Sequence, residues 1–315
     1  MPEGPSVKNW STKAEKFIGR KIKVVDGNTH VVDKQALVGC TLSSVEAYGK
    51  QLFLCFSPCQ TDVITKDSDT ANQDKTGEHD TGDCEKIWLR YHFLMWGSLR
   101  ANELKGPSKR SKTQKIPTPR LLIRFQDEEF LAFYNGSVQY VEEPCPDNET
   151  DILKTNFDVE KATASVQSNR PVCYTLLDQK VFSGLGNIMK NEALYTSRLH
   201  PLELGTDLTK EEAMTLVNEA VKFSAMWMEY EKNRVFKETW SKFSGEFQIY
   251  KKHRCPEGHK TKRDWFGDGL KRMTVWCPEC QPLKGKESKM AKCVNLMPLL
   301  AIKGQKSNQG KQARR

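Results

Sequence analysis

Residues 178–187, which read Asp-Gln-Lys-Val-Phe-Ser-Gly-Leu-Gly-Asn, form a glycine-rich turn in the second half of the chain. The Gly-x-Gly pair stands directly before a helical pattern that Asn187 opens. A helix N-terminus preceded by glycines offers unpaired backbone N–H groups, and these bind a phosphate well. Asn187 could cap that helix or hydrogen-bond a phosphate oxygen. A plain structural turn is the alternative, and these residues alone leave it open.

Helical periodicity surrounds this turn on both sides. Apolar residues recur at three- and four-residue spacings, which predicts four helices, over 159–168, 171–177, 187–195 and 210–231. Pro171 suits a first helical turn, and Thr209 followed by Glu211 and Glu212 gives the last helix an acidic start. The sequence therefore predicts a helical domain over 151–245.

The first part of the chain has the pattern of a β domain. Apolar, β-branched and aromatic runs separated by glycine and polar turns predict strands at 22–25, 41–45, 51–56, 87–92, 121–125 and 130–134. Residues 57–86 are acidic and lack apolar periodicity, which predicts a flexible insert. Many short strands joined by turns indicate a β-sandwich over 1–143. Together with the helices, this predicts an α+β multidomain fold.

The strongest local pattern in the chain is a cluster of three cysteines and a histidine. Cys255 and His259 are spaced as Cys-x3-His, and Cys277 and Cys280 follow as Cys-x2-Cys after 17 intervening residues. Three thiolates and one imidazole match a tetrahedral zinc site, and a complete ligand set makes that site structural. We therefore predict a zinc finger over 246–282 that holds one zinc ion. The residues between the ligand pairs are rich in cations suited to phosphates or a minor groove: Lys260, Lys262, Arg263, Lys271 and Arg272.

The composition indicates which classes of protein fit this chain. The 315 residues are enough for two domains with buried cores. Mean hydropathy is −0.64, and no run approaches the roughly 18 apolar residues of a membrane span, so we expect no membrane segment. The scatter of the ten cysteines favours free thiols and a metal site in a reducing compartment over a disulfide framework. The net charge of +9 suggests a polyanionic partner, and lysine and arginine concentrate in a predicted basic tail over 283–315.

The chain opens Met1-Pro2-Glu3-Gly4-Pro5. If Met1 is removed, the ring nitrogen of Pro2 is a free secondary amine with a carboxyl group on the next residue. A terminal α-amino group titrates near ~7.7–8.0, so much of it is unprotonated at neutral pH. Such an amine can attack a sugar carbon and form an iminium, which is an electron sink. A disordered chain end is the alternative for these five residues.

Five motifs then occur along the chain in one order. They are Pro2-Glu3-Gly4-Pro5, the lysine of Tyr-Gly-Lys-Gln-Leu at 48–52, His-Phe-Leu-Met-Trp-Gly-Ser-Leu-Arg at 92–100, the turn at 179–187, and Arg272 before the last cysteine pair. Their combination over residues 2–281 resembles the Fpg/Nei family of DNA glycosylases and AP lyases. The ligand set of the finger and Pro2 point to a eukaryotic branch of that family.

The resemblance implies a role for each matching residue. Pro2 would attack C1′ of the damaged nucleotide, and Glu3 would act as general acid at the sugar ring oxygen. Lys50, Asn187 and Arg272 would hold the phosphates beside the lesion, with Lys50 and Arg272 counted among the catalytic residues. A helix-two-turn-helix is then expected at about residues 171–195.

Other family features are less well matched. Met189 and Asn191 stand where family members more often carry Tyr and Asp. Met95 is the candidate to fill the space left by a flipped base, and ordinary core packing is the alternative for it.

The expected function is a bifunctional DNA glycosylase and AP lyase of base excision repair. The resemblance implies oxidised pyrimidines as lesions, bubble or single-stranded DNA as favoured context, and β,δ-elimination as the cleavage chemistry. We expect a nuclear monomer that binds damaged DNA and other base excision repair proteins. Two alternatives stay open: a zinc-finger DNA- or chromatin-binding protein with a degenerate site, and a β-rich scaffold for repair partners.

Overall fold

The computed structural model describes residues 2–58, 85–107, 116–144, 148–232 and 243–284. Most of the predicted insert (59–84) and of the basic tail (285–315) therefore lies outside the described residues. The first part of the chain contains two helices and eight described strands. These are α1 (Gly4–Glu15), β1 (Ile22–Asp26), α2 (Lys34–Leu37), β2 (Thr41–Tyr48), β3 (Gln51–Ser57), β4 (Ile87–His92), β5 (Ser98–Ala101), β6 (Leu121–Phe125), β7 (Phe130–Tyr134) and β8 (Ser137–Val141).

The strands form two four-stranded antiparallel sheets, with the orders β1-β6-β7-β5 and β2-β3-β4-β8. Successive side chains of a strand point to opposite faces. In β3, Leu52, Leu54 and Phe56 therefore enter the core between the sheets, whereas Phe53 and Cys55 pack in a separate cluster on the other face. The predicted β-sandwich is confirmed. The short strands β5 and β8 were not predicted, because each has only one buried residue and so no run of buried apolar side chains marks it.

The helical part consists of α3 (Val159–Val166), α4 (Val172–Thr175), α5 (Asn187–Thr196) and α6 (Lys210–Lys232). Thr209 and Glu212 form a capping box at the start of α6: the Oγ1 of Thr209 accepts from the N–H of Glu212 at 3.2 Å, and the Glu212 carboxylate accepts from the N–H of Thr209 at 3.1 Å. This confirms the predicted acidic start. None of the described helices is long and apolar enough to cross a membrane.

Helix α1 joins the sandwich to the helical part and was not predicted. Its Val7 and Ala14 are buried in the sandwich core. On another side, the Ser6 hydroxyl and the Asn9 amide donate to the two carboxylate oxygens of Glu231 in α6, at 3.1 and 2.9 Å. Residues Met1–Leu283 belong to one compact unit, and the domain boundaries drawn inside it stay predictions.

Three glycines meet where the β2–β3 turn, α1 and the turn before α5 come together. The N–H of Gly4 donates to the carbonyl of Gly184 at 2.9 Å. A Cβ on Gly184, which has φ +91°, would lie 3.3 Å from the Cα of Gly49 and 3.5 Å from that of Gly4. The carboxylate of Asp151 accepts from the N–H of Gly49 at 2.9 Å. Only residues without side chains allow these three backbones to approach so closely.

The last described part is an antiparallel hairpin of β9 (Lys262–Phe266) and β10 (Arg272–Trp276), in which Arg272 pairs with Phe266. Phe266 is buried in the core of the helical part, and Trp276 packs against the same core. The hairpin is therefore attached to the helices through its own side chains.

Candidate active site and metal centre

A cleft of about 730 Å³ lies between the sandwich, the helices and the hairpin. It is lined by all six residues predicted to act in chemistry or DNA binding: Pro2, Glu3, Lys50, Met95, Asn187 and Arg272. These residues come from five separate segments of the chain, and the fold brings them to one cavity. Their individual roles stay predictions at this point.

Glu3 is fully buried at the N-terminus of α5. Its two carboxylate oxygens accept from the N–H groups of Ile188 at 2.7 Å and Met189 at 3.2 Å. A Cβ on Gly186 would lie 2.2 Å from the Cδ of Glu3, so the glycine leaves the space that this carboxyl group occupies. Burial raises the pKa of Glu3, while Lys50 and the two amide hydrogen bonds act in the opposite direction.

This arrangement corrects two expectations about α5. Two of the amides that were expected to bind a phosphate are already bonded to Glu3. Asn187 does not cap the helix: Gly186 is the capping residue, and Asn187 is the first helical residue. The side-chain amide of Asn187 donates instead to the carbonyl of Met273 in β10, at 2.8 Å. A phosphate contact from Asn187 stays a prediction.

Lys50 follows Gly49 in the turn between β2 and β3. Gly49 has φ +52°, and a Cβ there would lie 2.2 Å from the Oγ of Ser183, so the turn needs a glycine on both grounds. Burial, assisted by Arg272 and opposed by Glu3, lowers the pKa of Lys50 to about 8. The cleft thus holds an amine close to its titration range beside a carboxyl group whose pKa is raised.

One face of α5 holds β10 in place. Residues 190 and 191 both lie one turn after residue 187 on the helix, and the three residues bond three successive residues of the strand. The contacts are Asn187 with the carbonyl of Met273 (2.8 Å), Lys190 with the Oγ1 of Thr274 (2.7 Å) and Asn191 with the N–H of Val275 (2.6 Å). This helix–strand clamp fixes the strand on which Arg272 is the first residue.

Lys190 was missed as a functional residue. It is 1% exposed, and burial lowers its pKa to about 8. The only signal in the sequence is a cation within the helical pattern of α5, which is normally read as a solvated side chain. Its partner Thr274 is 84 residues away in the chain, so local spacing could not reveal the contact.

Arg170 was also missed. Its guanidinium bonds Asp178 at 3.1 Å and Asp268 of the hairpin tip at 3.1 Å through Nε, and all three residues line the cleft. The ion pairs connect the tip of the hairpin to the segment before the glycine turn.

Met95 lies on the turn after β4, where Leu94 has φ +51°. Its side chain is 47% exposed and faces the cleft. The alternative of ordinary core packing is therefore wrong, and a role in filling the space of a flipped base stays a prediction.

The four predicted metal ligands converge at the end of the hairpin. The ligand atoms of Cys255, His259, Cys277 and Cys280 all lie within 4.8 Å of one another. The Sγ atoms of Cys255 and Cys280 are 3.8 Å apart, which matches the edge of about 3.8 Å in a tetrahedron with Zn–S bonds of ~2.3 Å. The cluster can therefore hold one metal ion with no position left for a substrate.

Gln281 anchors this cluster to the helical part. Its side-chain oxygen accepts from the N–H of Cys277 at 2.9 Å, and its amide donates to the carbonyl of Leu199 at 2.7 Å. At the other ligand pair, the N–H of Cys255 donates to the carbonyl of His259 at 3.0 Å. A metal bound here would thus brace the hairpin against the helices.

Comparison with known proteins gives three results. Residues 149–235 match the family model of the formamidopyrimidine-DNA glycosylase H2TH domain. The chain is 33% identical to Endonuclease 8-like 2 of Mus musculus over 328 residues, covering 90% of this chain and 96% of the relative. It is also 33% identical to Endonuclease 8-like 2 of Homo sapiens, covering 91% and 98%.

Solved structures share the fold at lower identity. A viral DNA glycosylase matches with a TM-score of 0.64 and 22% identity, over 89% of this chain and 99% of that one. The formamidopyrimidine-DNA glycosylase of Lactococcus lactis, bound non-covalently to DNA with an AP site, has the same TM-score at 20% identity. Its coverage is also 89% of this chain and 99% of that chain.

Proposed function

Because this chain belongs to the Fpg/Nei family of DNA glycosylases, in its endonuclease 8-like branch, we propose that the Pro2 amine is its nucleophile and oxidised pyrimidines are its substrates. The protein is a DNA N-glycosylase with AP lyase activity that acts in base excision repair. The observation that best supports Pro2 as the nucleophile is the position of the Glu3 carboxyl group. It is held by α5 next to Pro2, in a cleft that Lys50 and Arg272 also line. Damaged DNA in bubble or single-stranded form is the substrate context that we propose.

The first step is attack by Pro2 after Met1 has been removed. The unprotonated amine adds to C1′ of the damaged nucleotide. The bond from C1′ to the ring oxygen breaks as Glu3 gives its proton to that oxygen. The base then leaves, taking the proton that the amine loses, and C1′ becomes an iminium. An enzyme of this type must first extrude the nucleotide from the stack, and Met95 is our candidate to fill the space.

The raised pKa of Glu3 supports its role as the acid. Burial favours the neutral carboxyl group, which has a proton to give. The two amide hydrogen bonds from α5 stabilise the carboxylate that the step leaves behind. Both features favour proton transfer in a position next to the nucleophile.

Strand cleavage follows from the iminium. The electron sink at C1′ makes the C2′ proton acidic, and Glu3, now a carboxylate, is our candidate to take it. The electron pair then expels the 3′-phosphate by β-elimination. Loss of a C4′ proton expels the 5′-phosphate by δ-elimination, and water releases Pro2 as the free amine.

Three side chains would hold the phosphates beside the lesion. Lys50 and Arg272 supply positive charge in the cleft, and Asn187 lines the same cavity. Phosphate contacts fix the register of the DNA, while the chemistry takes place at the sugar. The position of Arg272 in β10 depends on the clamp from α5.

Zinc is the metal that we propose for the cluster of three cysteines and one histidine, because this ligand set suits its tetrahedral coordination. Bound there, it would be structural and would hold the hairpin that carries Arg272. We further propose a nuclear monomer that works with other base excision repair proteins. The DNA substrate and the abundance of Lys and Arg in the sequence of 284–315 support the nuclear location.

Borohydride trapping tests the proposed nucleophile. Reduction of the iminium should join the protein covalently to an oligonucleotide that contains an oxidised pyrimidine, and the adduct should map to Pro2. Pro2→Gly, and the wild-type protein with a blocked N-terminus, should give no adduct while still binding an uncleavable tetrahydrofuran oligonucleotide. An untrappable wild type, or full trapping by Pro2→Gly, would overturn the mechanism. Binding without any cleavage of abasic DNA would support the alternative of a DNA-binding protein with a degenerate site.

A further inference from the structure

Two large aromatic side chains are exposed beside the reaction cleft. Trp96, on the turn after Met95, is 74% exposed, and Trp265, in β9, is 61% exposed. Both line a second cavity of about 540 Å³. Tryptophan is mostly buried in folded proteins, and exposed aromatic groups at a concave surface mark binding sites.

The charged residues that line this second cavity are all cations. Among the twelve described residues that line it, three are cations, Lys251, Lys252 and Arg272, and none is acidic. The ammonium of Lys251 lies over the ring of Tyr250, 5.5 Å from its centroid, at the same wall. Aromatic faces among cations form the usual surface for single-stranded nucleic acid, since bases stack on the rings and phosphates meet the charges.

The second cavity adjoins the reaction cleft without containing its reacting groups. Met95, Asn187 and Arg272 line both cavities, whereas Pro2 and Glu3 line only the reaction cleft. A strand whose damaged nucleotide reaches Pro2 would therefore bring its neighbouring nucleotides, rather than the excised one, to the two tryptophans.

Both tryptophans stand on supported backbone. Trp265 pairs with Met273 in β10, whose carbonyl is held by Asn187 at 2.8 Å. The turn that bears Trp96 is closed by a hydrogen bond from the N–H of Gly97 to the carbonyl of Phe93, at 2.7 Å. Such support favours binding, because backbone that is already ordered loses little conformational entropy when the DNA binds.

We propose that Trp265 and Trp96 stack on unpaired nucleobases next to the damaged nucleotide, with Lys251 and Lys252 beside the phosphates of the same strand. This inference rests on the proposed function, since it places the damaged nucleotide at Pro2. Paired bases present no free faces, because their neighbours in the duplex cover them. The site therefore favours single strands and bubbles over intact duplex, with little dependence on base sequence.

The test measures binding of the full chain to oligonucleotides that carry a tetrahydrofuran abasic analogue, as a single strand and as a complete duplex. Stacking contributes ~1–3 kcal/mol per base, so Trp265→Ala and Trp96→Ala should each weaken single-strand binding by roughly 5- to 150-fold. Duplex binding should change less than threefold. Trp265→Phe, which keeps an aromatic face, should stay much closer to wild type.

Met226→Ala is the matched control, because Met226 is 43% exposed on α6 and lines neither cavity. It should bind both DNAs as wild type does. A 2-aminopurine placed next to the abasic analogue should lose fluorescence on binding wild type and regain it with Trp265→Ala. The metal content of each variant checks that the hairpin is folded.

Two outcomes would overturn the inference: single-strand binding by both alanine variants within twofold of wild type, or equal losses on single strand and duplex. Neither readout requires catalysis, and borohydride trapping of the same proteins on duplex DNA tests the proposed function separately. Trapping by wild type together with unchanged binding by the tryptophan variants would reject the stacking site and leave the nucleophile in place.

Discussion

Replacement of Gly186 by alanine should disable the proposed acid without disturbing the backbone. Gly186 has φ −123° and ψ −166°, an extended conformation that alanine adopts without strain. The new methyl group would lie 2.2 Å from the Cδ and 2.5 Å from the Oε1 of Glu3. To restore an ordinary contact, the carboxyl group must move by about 1 Å, and a displacement of that size lowers catalytic rates by about 10²-fold.

The displaced carboxyl group also loses contact with α5. Each hydrogen bond to a neutral group contributes ~0.5–1.5 kcal/mol, so losing the bonds from Ile188 and Met189 to the neutral carboxyl group should lower the free energy of unfolding by roughly 1–3 kcal/mol. Affinity for DNA should fall less than threefold, because the phosphate contacts come from other residues.

Single-turnover cleavage of an oligonucleotide with one oxidised pyrimidine measures the effect, and binding of the tetrahydrofuran analogue measures affinity. Gly245→Ala is the matched control, since a Cβ there meets nothing within 4 Å. It should cleave at the wild-type rate. A folded Gly186→Ala protein that cleaves within threefold of wild type would refute the reasoning that Glu3 must sit against α5.

Other changes give independent predictions. DNA affinity should decrease as pH rises through about 8, because the pKa of Lys50 is lowered to about 8 in the free protein and a bound phosphate favours the protonated amine. Lys50→Arg should remove this pH dependence of the affinity. If the pH dependence persists in that variant, it arises from another group. Lys190→Met should weaken DNA binding by about tenfold through the clamp, which lies within the roughly 0.5–3 kcal/mol by which residues of one network couple. Its effect should be non-additive with that of Arg272→Ala, and additive losses measured by titration would contradict the clamp. Metal analysis should find one ion per wild-type chain and none in Cys277→Ser. That variant should bind DNA much more weakly, while the stability of its β-sandwich changes little. An ion retained in the variant would contradict the proposed ligand set.

The features of the fold and of the site that the sequence predicts are those formed by residues close together in the chain. Cys277 and Cys280 are three residues apart and form one turn, so their spacing alone indicates a common ligand. The predicted acidic start of α6, where Thr209 and Glu212 bond each other's N–H groups, is similarly local. The helices of the second half were predicted because their apolar residues face a single core.

The parts that were missed depend on distant partners. α1 buries polar residues, and those of its polar face bond Glu231, which is 225 residues from Ser6. No periodicity of apolar residues marks such a helix, because polar groups can be buried when a partner bonds them. Lys190 was missed for the same reason. The capping alternative for Asn187 is wrong because Gly186 is the capping residue of α5 and the Asn187 amide bonds the carbonyl of Met273, which is 86 residues away.

Glu3 and α5 contact each other in the folded protein but are synthesised at very different times. Glu3 is synthesised near the start, but its partner Ile188 follows 185 residues later. At about 5–20 residues per second, the interval on the ribosome is roughly ten to forty seconds. The proposed nucleophile therefore leaves the ribosome long before the amides that hold its neighbour exist. Once Met1 has been removed, a nascent chain would carry the free Pro2 amine while its second half is still being made, and would become competent for DNA chemistry only when that half has emerged and docked.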